Sequence, residues 1–349
     1  RDGRPPVARG APPPPASPSP RPARAPDCVR RRPPPKPRGA TPPKGPVLTD
    51  TPTPTPEAQI SATVAELLPD DLLTEIDGRT QGYDRDNSFF TEDFEQLRAT
   101  GFLDIALPAE FGGHGLGLDG VSTALRRLAW AAPATAVATN MHIYWTGVAA
   151  DLLRNGDDSC RFLLEQAAEG KVLAAIHGEP GNDVPLFLST TTATRVDGGW
   201  TLDGHKYFGS LSPVWDLAGF HAMDASDPDN PVIVHGFVTK DTDGVEIVDT
   251  WDTLGMRATQ SHDTVLHGAF CPDSLVARVN APGFAGADLF HVGIFAWALL
   301  GFASVYDGAA RRAFELAVEG AHQKTSIALT RSMAHHPGVQ HNISEMRMK

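Results

Sequence analysis

The sequence predicts an α+β chain in which a helical block, a β block and a second helical block follow a proline- and arginine-rich tail. Three observations carry this. Composition changes abruptly near Pro56. Apolar residues then recur at helical spacing from Glu57 to about Gly170. Short β-branched or aromatic runs, bounded by turns, occupy Lys171 to about Pro282 before helical periodicity returns. Helices and strands segregated into blocks disfavour a doubly wound sheet, in which they alternate. The expected divisions are a tail over 1–56, a helical domain over 57–170, a β-domain over 171–282 and an incomplete helical domain over 283–349.

Residues 1–56 hold 20 of the 31 prolines, and 11 Lys/Arg against 3 Asp/Glu, a net of +8. Out of chain totals of 30 and 42, the remainder therefore carries 19 basic and 39 acidic side chains, a net of −20. The tail has too little apolar surface to offset the entropy of ordering, so disorder with polyproline-like stretches is expected. Its RRRPPPKPR run would suit nucleic acid or anionic lipid. The plainer reading is an upstream extension, in keeping with Arg1 as first residue. The arginines precede no apolar run of the secretory kind, and the proline density is wrong for an amphipathic transit helix. The acidic remainder argues against nucleic-acid partners. Cys28, Cys160 and Cys271 form no CxxC pair, which suits a reducing, cytoplasmic setting without disulfides or structural zinc.

In the first helical block, EAQISATVAELL places apolar side chains at helical spacing. TEDFEQLRATG offers Thr91 as N-cap, Glu92 and Asp93 in the first turn against the dipole, and Gly101 as the terminating residue. LDGVSTALRRLAWAAP and SCRFLLEQAAEG read as further helices. The strands expected next are KVLAAIH, TTATRV, WTLDGHKYFG, WDLAGFHAM, PVIVHGFVTK, GVEIVD and DTVLHGAF, in an antiparallel sandwich or barrel. Residues 289–306, LFHVGIFAWALLGFASVY, run 18 positions without a formal charge, the length at which a membrane span is considered. His291 within it, Asp288 and Asp307 beside it, and the lack of a basic flank favour a buried helix in a helical layer. No membrane span is expected. QHNISEMRMK stops in mid-pattern, which reads as a chain cut short.

Familiar motifs are mostly accidental here. GLGLDG (115–120) matches GxGxxG, but a turn precedes it and no acidic residue lies about twenty positions on. His335, His336 and His341 in HHPGVQH are interrupted by Pro337-Gly338 and lack metal-box spacing, so a turn before a helix is the better account. DPDNP (227–231) lacks the glycine and distal glutamate of a calcium loop and reads as a hairpin turn. No GxSxG is present. His142 and His221 read as packed or capping residues rather than catalysts, since nothing in the sequence pairs them. One stretch remains, residues 174–213, with a Glu-Pro-Gly turn, a Gly-Gly hairpin turn and GHKYFGS. Exposed backbone N–H groups at GEPGND would suit a flat heterocycle. Phe208 would flank such a ring, and the Ser210 hydroxyl would donate to a ring nitrogen.

Four segments in order resemble the acyl-CoA dehydrogenases and their flavin-dependent monooxygenase relatives: LPAEFGGHG (107–115), IHGEPGND (176–183), LDGHKYFGS (202–210) and LGMRATQSHDTVLHGAFCP (254–272). The resemblance runs from about Glu57 to Lys349. It implies a C-terminal helical bundle, FAD between the β-domain and that bundle, and a homo-tetramer or homo-dimer. By position, Ser210 stands where a hydroxyl meets flavin N5. Phe208, followed by Gly209, stands where a tryptophan flanks the ring. His177, Gly178 and the turn carrying Gly181 lie along the pyrimidine edge. Arg257 falls in the Leu-Gly-x-Arg-x-Ser segment as a substrate-binding position. There are departures. Gly178 replaces a Thr or Ser, EPGND is two residues shorter than the usual EPGAGSD, and the adjacent-subunit arginine near Gln323-Lys324 has no match. The catalytic glutamate is expected beyond Lys349, and no glutamate present is assigned that role. The implied activity is α,β-dehydrogenation of an acyl-CoA with hydride transfer to FAD, passing electrons to an acceptor flavoprotein. The alternatives are a monooxygenase served by a partner flavin reductase, and a non-catalytic scaffold that has lost its flavin.

Overall fold

A computed structural model describes residues 56–348. The expected disordered tail and Cys28 lie outside the described residues, and Pro56 opens the first helix. Six helices come first: α1 (Pro56–Leu67), α2 (Asp70–Asp86), α3 (Thr91–Ala99), α4 (Leu118–Ala131), α5 (Pro133–Arg154) and α6 (Arg161–Ala168). In α3, Gly101 lies at φ 80 just beyond the helix, as its position in the sequence predicts. The N-cap is Phe90, not Thr91, and its side chain accepts no hydrogen bond. Phe90 is fully buried instead, so core packing sets where that helix enters. Helix α5 is buried on nearly every side, and Pro133 occupies its first turn, where a missing N–H costs nothing.

Eight strands follow: β1 (Leu173–Ala175), β2 (Thr192–Val196), β3 (Gly199–Gly209), β4 (Leu217–Asp224), β5 (Val232–Thr239), β6 (Val245–Val248), β7 (His262–Pro272) and β8 (Val276–Asn280). They form one sheet in the order β6-β7-β3-β2-β4-β5-β8, with β1 also against β4. The pairing is mainly antiparallel, but β1 and β2 both meet β4 in parallel, which a purely antiparallel expectation lacks. The β2–β3 hairpin turns on Asp197-Gly198, with Gly198 at φ 76, while Gly199 already belongs to β3. Residues 227–231 form the β4–β5 hairpin connection, as expected.

Helix α7 (Leu289–Gln323) is 35 residues long. The Asp288 carboxylate caps it, accepting from the N–H groups of Phe290 and His291. A two-stranded ribbon, β9 (Thr325–Ser326) with β10 (Arg331–Ser332), and helix α8 (Pro337–Met348) complete the described chain. By length and composition α7 could cross a membrane. One of its faces packs against α4 and α5 through bare backbone. A Cβ on Gly147 would lie 2.3 Å from the Trp297 ring, and one on Gly308 2.3 Å from the Arg126 carbonyl oxygen. The helix is not buried all round: Val292, Leu299 and Tyr306 are each more than half exposed. Cys160 and Cys271 are buried free thiols, both pushed up to about 12 by burial and so inert to neutral-pH chemistry.

Candidate functional site

The Glu-Pro-Gly turn leaves β1 and crosses the end of β3, where the Tyr207 N–H donates to the Gly178 carbonyl at 2.8 Å. Beneath it lies a buried polar layer. Glu179 Oε1 accepts from Lys206 Nζ at 2.6 Å, Ser189 Oγ at 2.6 Å and the Thr191 N–H at 3.1 Å. Its Oε2 accepts from Asn182 Nδ2 at 2.7 Å and the Thr190 N–H at 3.0 Å. Burial alone would raise this carboxyl. His221 at 3.4 Å and the Lys206 ammonium overcome that and hold it well below the usual carboxylate range. Burial draws Lys206 down to about 8 despite the carboxylate. The pair is ionised at neutral pH and ties strand β3 to the turn and to residues 189–191.

A row of histidines runs across the same face. His177 Nδ1 lies 3.3 Å from His221 Nδ1, and His235 faces His221 directly in the β4–β5 register. Arg278 faces His235 on β8, and His235 Nε2 lies 3.2 Å from His291 Nε2 in the first turn of α7. Asp288 joins the end of the row, accepting from His291 Nδ1 and from Arg278 Nε, each at 2.9 Å. Arg278 also pairs with Asp157. Burial, and then the neighbouring imidazoles, hold His177 and His235 well below the ordinary histidine value, and burial with Lys206 lowers His221. These rings are neutral in the fold.

On the outer side, β3 carries an irregularity between Lys206 and Gly209. Phe208 sits within it at φ 61, a left-handed conformation unusual for an aromatic residue. The residue is 61% exposed, and its ring stands edge-on to Trp251 with centroids 6.0 Å apart. A Cβ on Gly178 would lie 3.0 Å from Phe208 Cδ2, so bare backbone approaches the ring. Ser210 follows, 6% exposed, and its Oγ lies 2.7 Å from Ser261 Oγ. Ser261 Oγ is in turn 2.7 Å from Thr259 Oγ1, which donates to the Met256 carbonyl at 2.8 Å.

The structure thus brings Gly178, Phe208, Gly209 and Ser210 to one strand edge. Gly209 is buried, and a Cβ there would meet the His262 carbonyl oxygen at 2.9 Å. Gly181 lies at the exposed turn with φ 71. The His177 imidazole points away from this edge into the histidine row. Arg257 stands apart: its Nε donates to the Asp84 carbonyl and its Nη1 to Asp252 and to the Thr253 carbonyl, each at 2.7 Å. It borders a mainly apolar cavity of about 270 Å³ shared with Tyr83, Thr135 and Ala309. Sequence reasoning did not single out Glu179, Lys206, Thr259, Ser261, His235 or His291 as site residues. The only signal for Thr259 was its place in the Leu-Gly-x-Arg-x-Ser segment.

Helical block, sheet with an aromatic outer edge, and long packing helix together define a protein of the acyl-CoA dehydrogenase fold. Two family descriptions match: "Acyl-CoA dehydrogenase, N-terminal domain" over residues 57–170 and "Acyl-CoA dehydrogenase, middle domain" over residues 178–269. The chain belongs to the acyl-CoA dehydrogenase family, whose members are flavin-dependent oxidoreductases and oxygenases. It is 28% identical over 269 residues to a putative acyl-CoA dehydrogenase, YdbM, of Bacillus subtilis, covering 76% of this chain and 68% of that protein. It is 30% identical over 266 residues to L-evernosamine nitrososynthase of a Micromonospora species, covering 73% and 60%. Among solved structures it resembles KijD3 in complex with FMN and dTDP-3-amino-2,3,6-trideoxy-4-keto-3-methyl-D-glucose. The TM-score is 0.70 at 27% identity, covering 84% of this chain and 69% of that one. The chain spans 68% and 60% of the length of these two curated relatives.

Proposed function

We propose that this chain carries the flavin-holding part of a monooxygenase that takes its flavin already reduced by a partner reductase and acts on a small-molecule substrate. The observation that carries the flavin reading is Phe208, a residue 61% exposed on a left-handed backbone beside Gly178 and Ser210. A large apolar ring held outward at an energetic cost calls for something flat to cover it. The donor set fits a flavin. Phe208 would flank the ring and exclude water from one side, and Ser210 would stand at its polar edge. Main-chain groups from His177 to Gly181 would line the remaining edge. The Glu179–Lys206 pair would keep both strand ends in place. A bound flavin supplies the two-electron chemistry, and either FAD or FMN carries the same ring. The likeness to a nitrososynthase and to an FMN-bound structure supports the oxygenase assignment. So does Gly178 in place of a hydroxyl residue. The likeness to YdbM supports a second reading, dehydrogenation of an acyl-CoA. A homo-oligomer and a cytoplasmic setting belong to the same proposal.

The test is titration of the protein with FAD and FMN, followed by flavin fluorescence. Binding is expected, and Phe208→Ala should weaken it about tenfold, the worth of one lost ring contact. No binding, or binding indifferent to Phe208→Ala, would remove the cradle. Oxygen uptake that needs an added flavin reductase supports the oxygenase. Anaerobic bleaching by a saturated acyl-CoA alone would select the dehydrogenase instead.

A further inference from the structure

The hydroxyl row Ser210–Ser261–Thr259 has a direction fixed from one end. The Met256 carbonyl can only accept, so its 2.8 Å contact consumes the Thr259 proton. The 2.7 Å contact between Thr259 and Ser261 then requires the Ser261 proton. By the same step the 2.7 Å contact between Ser261 and Ser210 takes the proton of Ser210. Thr259, Ser261 and Ser210 are 1%, 3% and 6% exposed, so bulk water does not scramble the order. The frame around the row is stiff. Met256, Gln260 and Leu211 all hold left-handed backbones at φ 56, 44 and 67. The Leu211 N–H donates to the Thr259 carbonyl at 3.1 Å, and Gln260 Nε2 donates to the Asn87 carbonyl at 3.0 Å. Ser210 therefore offers outward only lone pairs, the reverse of the donor expected from sequence.

We propose that Thr259 and Ser261 are positioning residues that make Ser210 an obligate acceptor at the redox edge of the bound ring, so that the site favours reduced over oxidised flavin. The inference rests on the flavin reading and deepens it. Oxidised flavin presents a bare lone pair at N5, which an acceptor repels, whereas reduced flavin carries an N–H there, which an acceptor receives. A site biased in this way suits a protein that captures flavin after another enzyme has reduced it.

Removing the relay frees the Ser210 proton to donate. Ser261→Ala, and independently Thr259→Val, should raise the ratio of affinities for oxidised over reduced flavin about tenfold, the scale of one exchanged hydrogen bond. For a two-electron couple that lowers the potential of the bound flavin by about 30 mV. The measurement is the midpoint potential of the flavin-loaded chain against an indicator dye. It is accompanied by separate titrations with oxidised and dithionite-reduced FMN, and thermal melts confirm folding. In a Ser210→Ala background the shift caused by Ser261→Ala should vanish, which distinguishes a relay from a packing defect. Flavin that binds through Phe208 but keeps its potential in both relay variants overturns this inference and leaves the flavin reading intact. A protein that binds no flavin overturns both.

Discussion

The buried imidazoles make the stability of this protein sensitive to mild acid. His142, whose Nδ1 accepts from the Leu173 N–H at 3.0 Å, is lowered to about 4 by burial. His177 and His235 are held well below the ordinary value, also chiefly by burial. Each is neutral in the fold but takes a proton in the unfolded chain below about pH 6.5. The unfolded state binds more protons, so stability is complete above that pH and is lost as pH falls through it. At pH 5.5, one unit below, the three rings together cost up to about 4 kcal/mol. Asp93 acts oppositely. Burial raises it to about 6 against the pull of Arg79, so its folded form gains a proton first and offsets about 1 kcal/mol. Glu179 enters only below the ordinary carboxylate value of about 4.3 and stays out of this window. The net loss is about 3 kcal/mol between pH 7.5 and 5.5. At about 2.1 cal/mol/K per residue, that lowers Tm by about 5 °C for a chain of this size. Differential scanning calorimetry at the two pH values reads it directly. His235→Phe should shrink the difference by nearly half. A Tm equal or higher at pH 5.5 would refute neutral burial of these rings.

Two further outcomes follow from packing and charge. Lys206→Met leaves the Glu179 charge buried without its ammonium and should cost about 3–5 kcal/mol in urea unfolding. Adding Glu179→Gln should recover most of that loss, and a single variant as stable as the parent would show that the pair carries no strain. Gly147→Ala places a methyl group 2.3 Å from the Trp297 ring, and the clash between α5 and α7 should cost about 1–3 kcal/mol, read as a lower Tm.

What the sequence made legible was local. Gly101 after α3, Asp197-Gly198 at the hairpin and the alternation along the strands announce themselves through backbone chemistry within a few residues. Thr91 misled because Phe90 is drawn into the core, and packing outranked a cap worth about 1 kcal/mol. β8 stayed unread because only Ala277 is buried and the half-buried positions around it blur the alternation. The outward face of α7 was hidden in the same way: an uncharged run looks alike whether one side or all sides are covered. The histidine row could not be foreseen, since residues 177, 221, 235 and 291 meet only through strand register and the docking of α7. The same holds for Ser210 and Ser261, 51 positions apart. Phe208 and Ser210 were singled out because a family pattern marks their place. The direction of the Ser210 proton needed distances.

The irregularity in β3 has a bearing on how this segment can be altered. Lys206 and Phe208 are two apart, and in an ordinary strand two such side chains share a side of the sheet. Here one is wholly interior and the other lies open to solvent. What sorts them is the count of residues between Lys206 and Gly209, not their chemistry. Shortening that interval by one would leave a single residue between the two paired positions, so only one of Tyr207 and Phe208 could keep a place at this edge, and homologues with a different spacing here are expected to build it from other side chains.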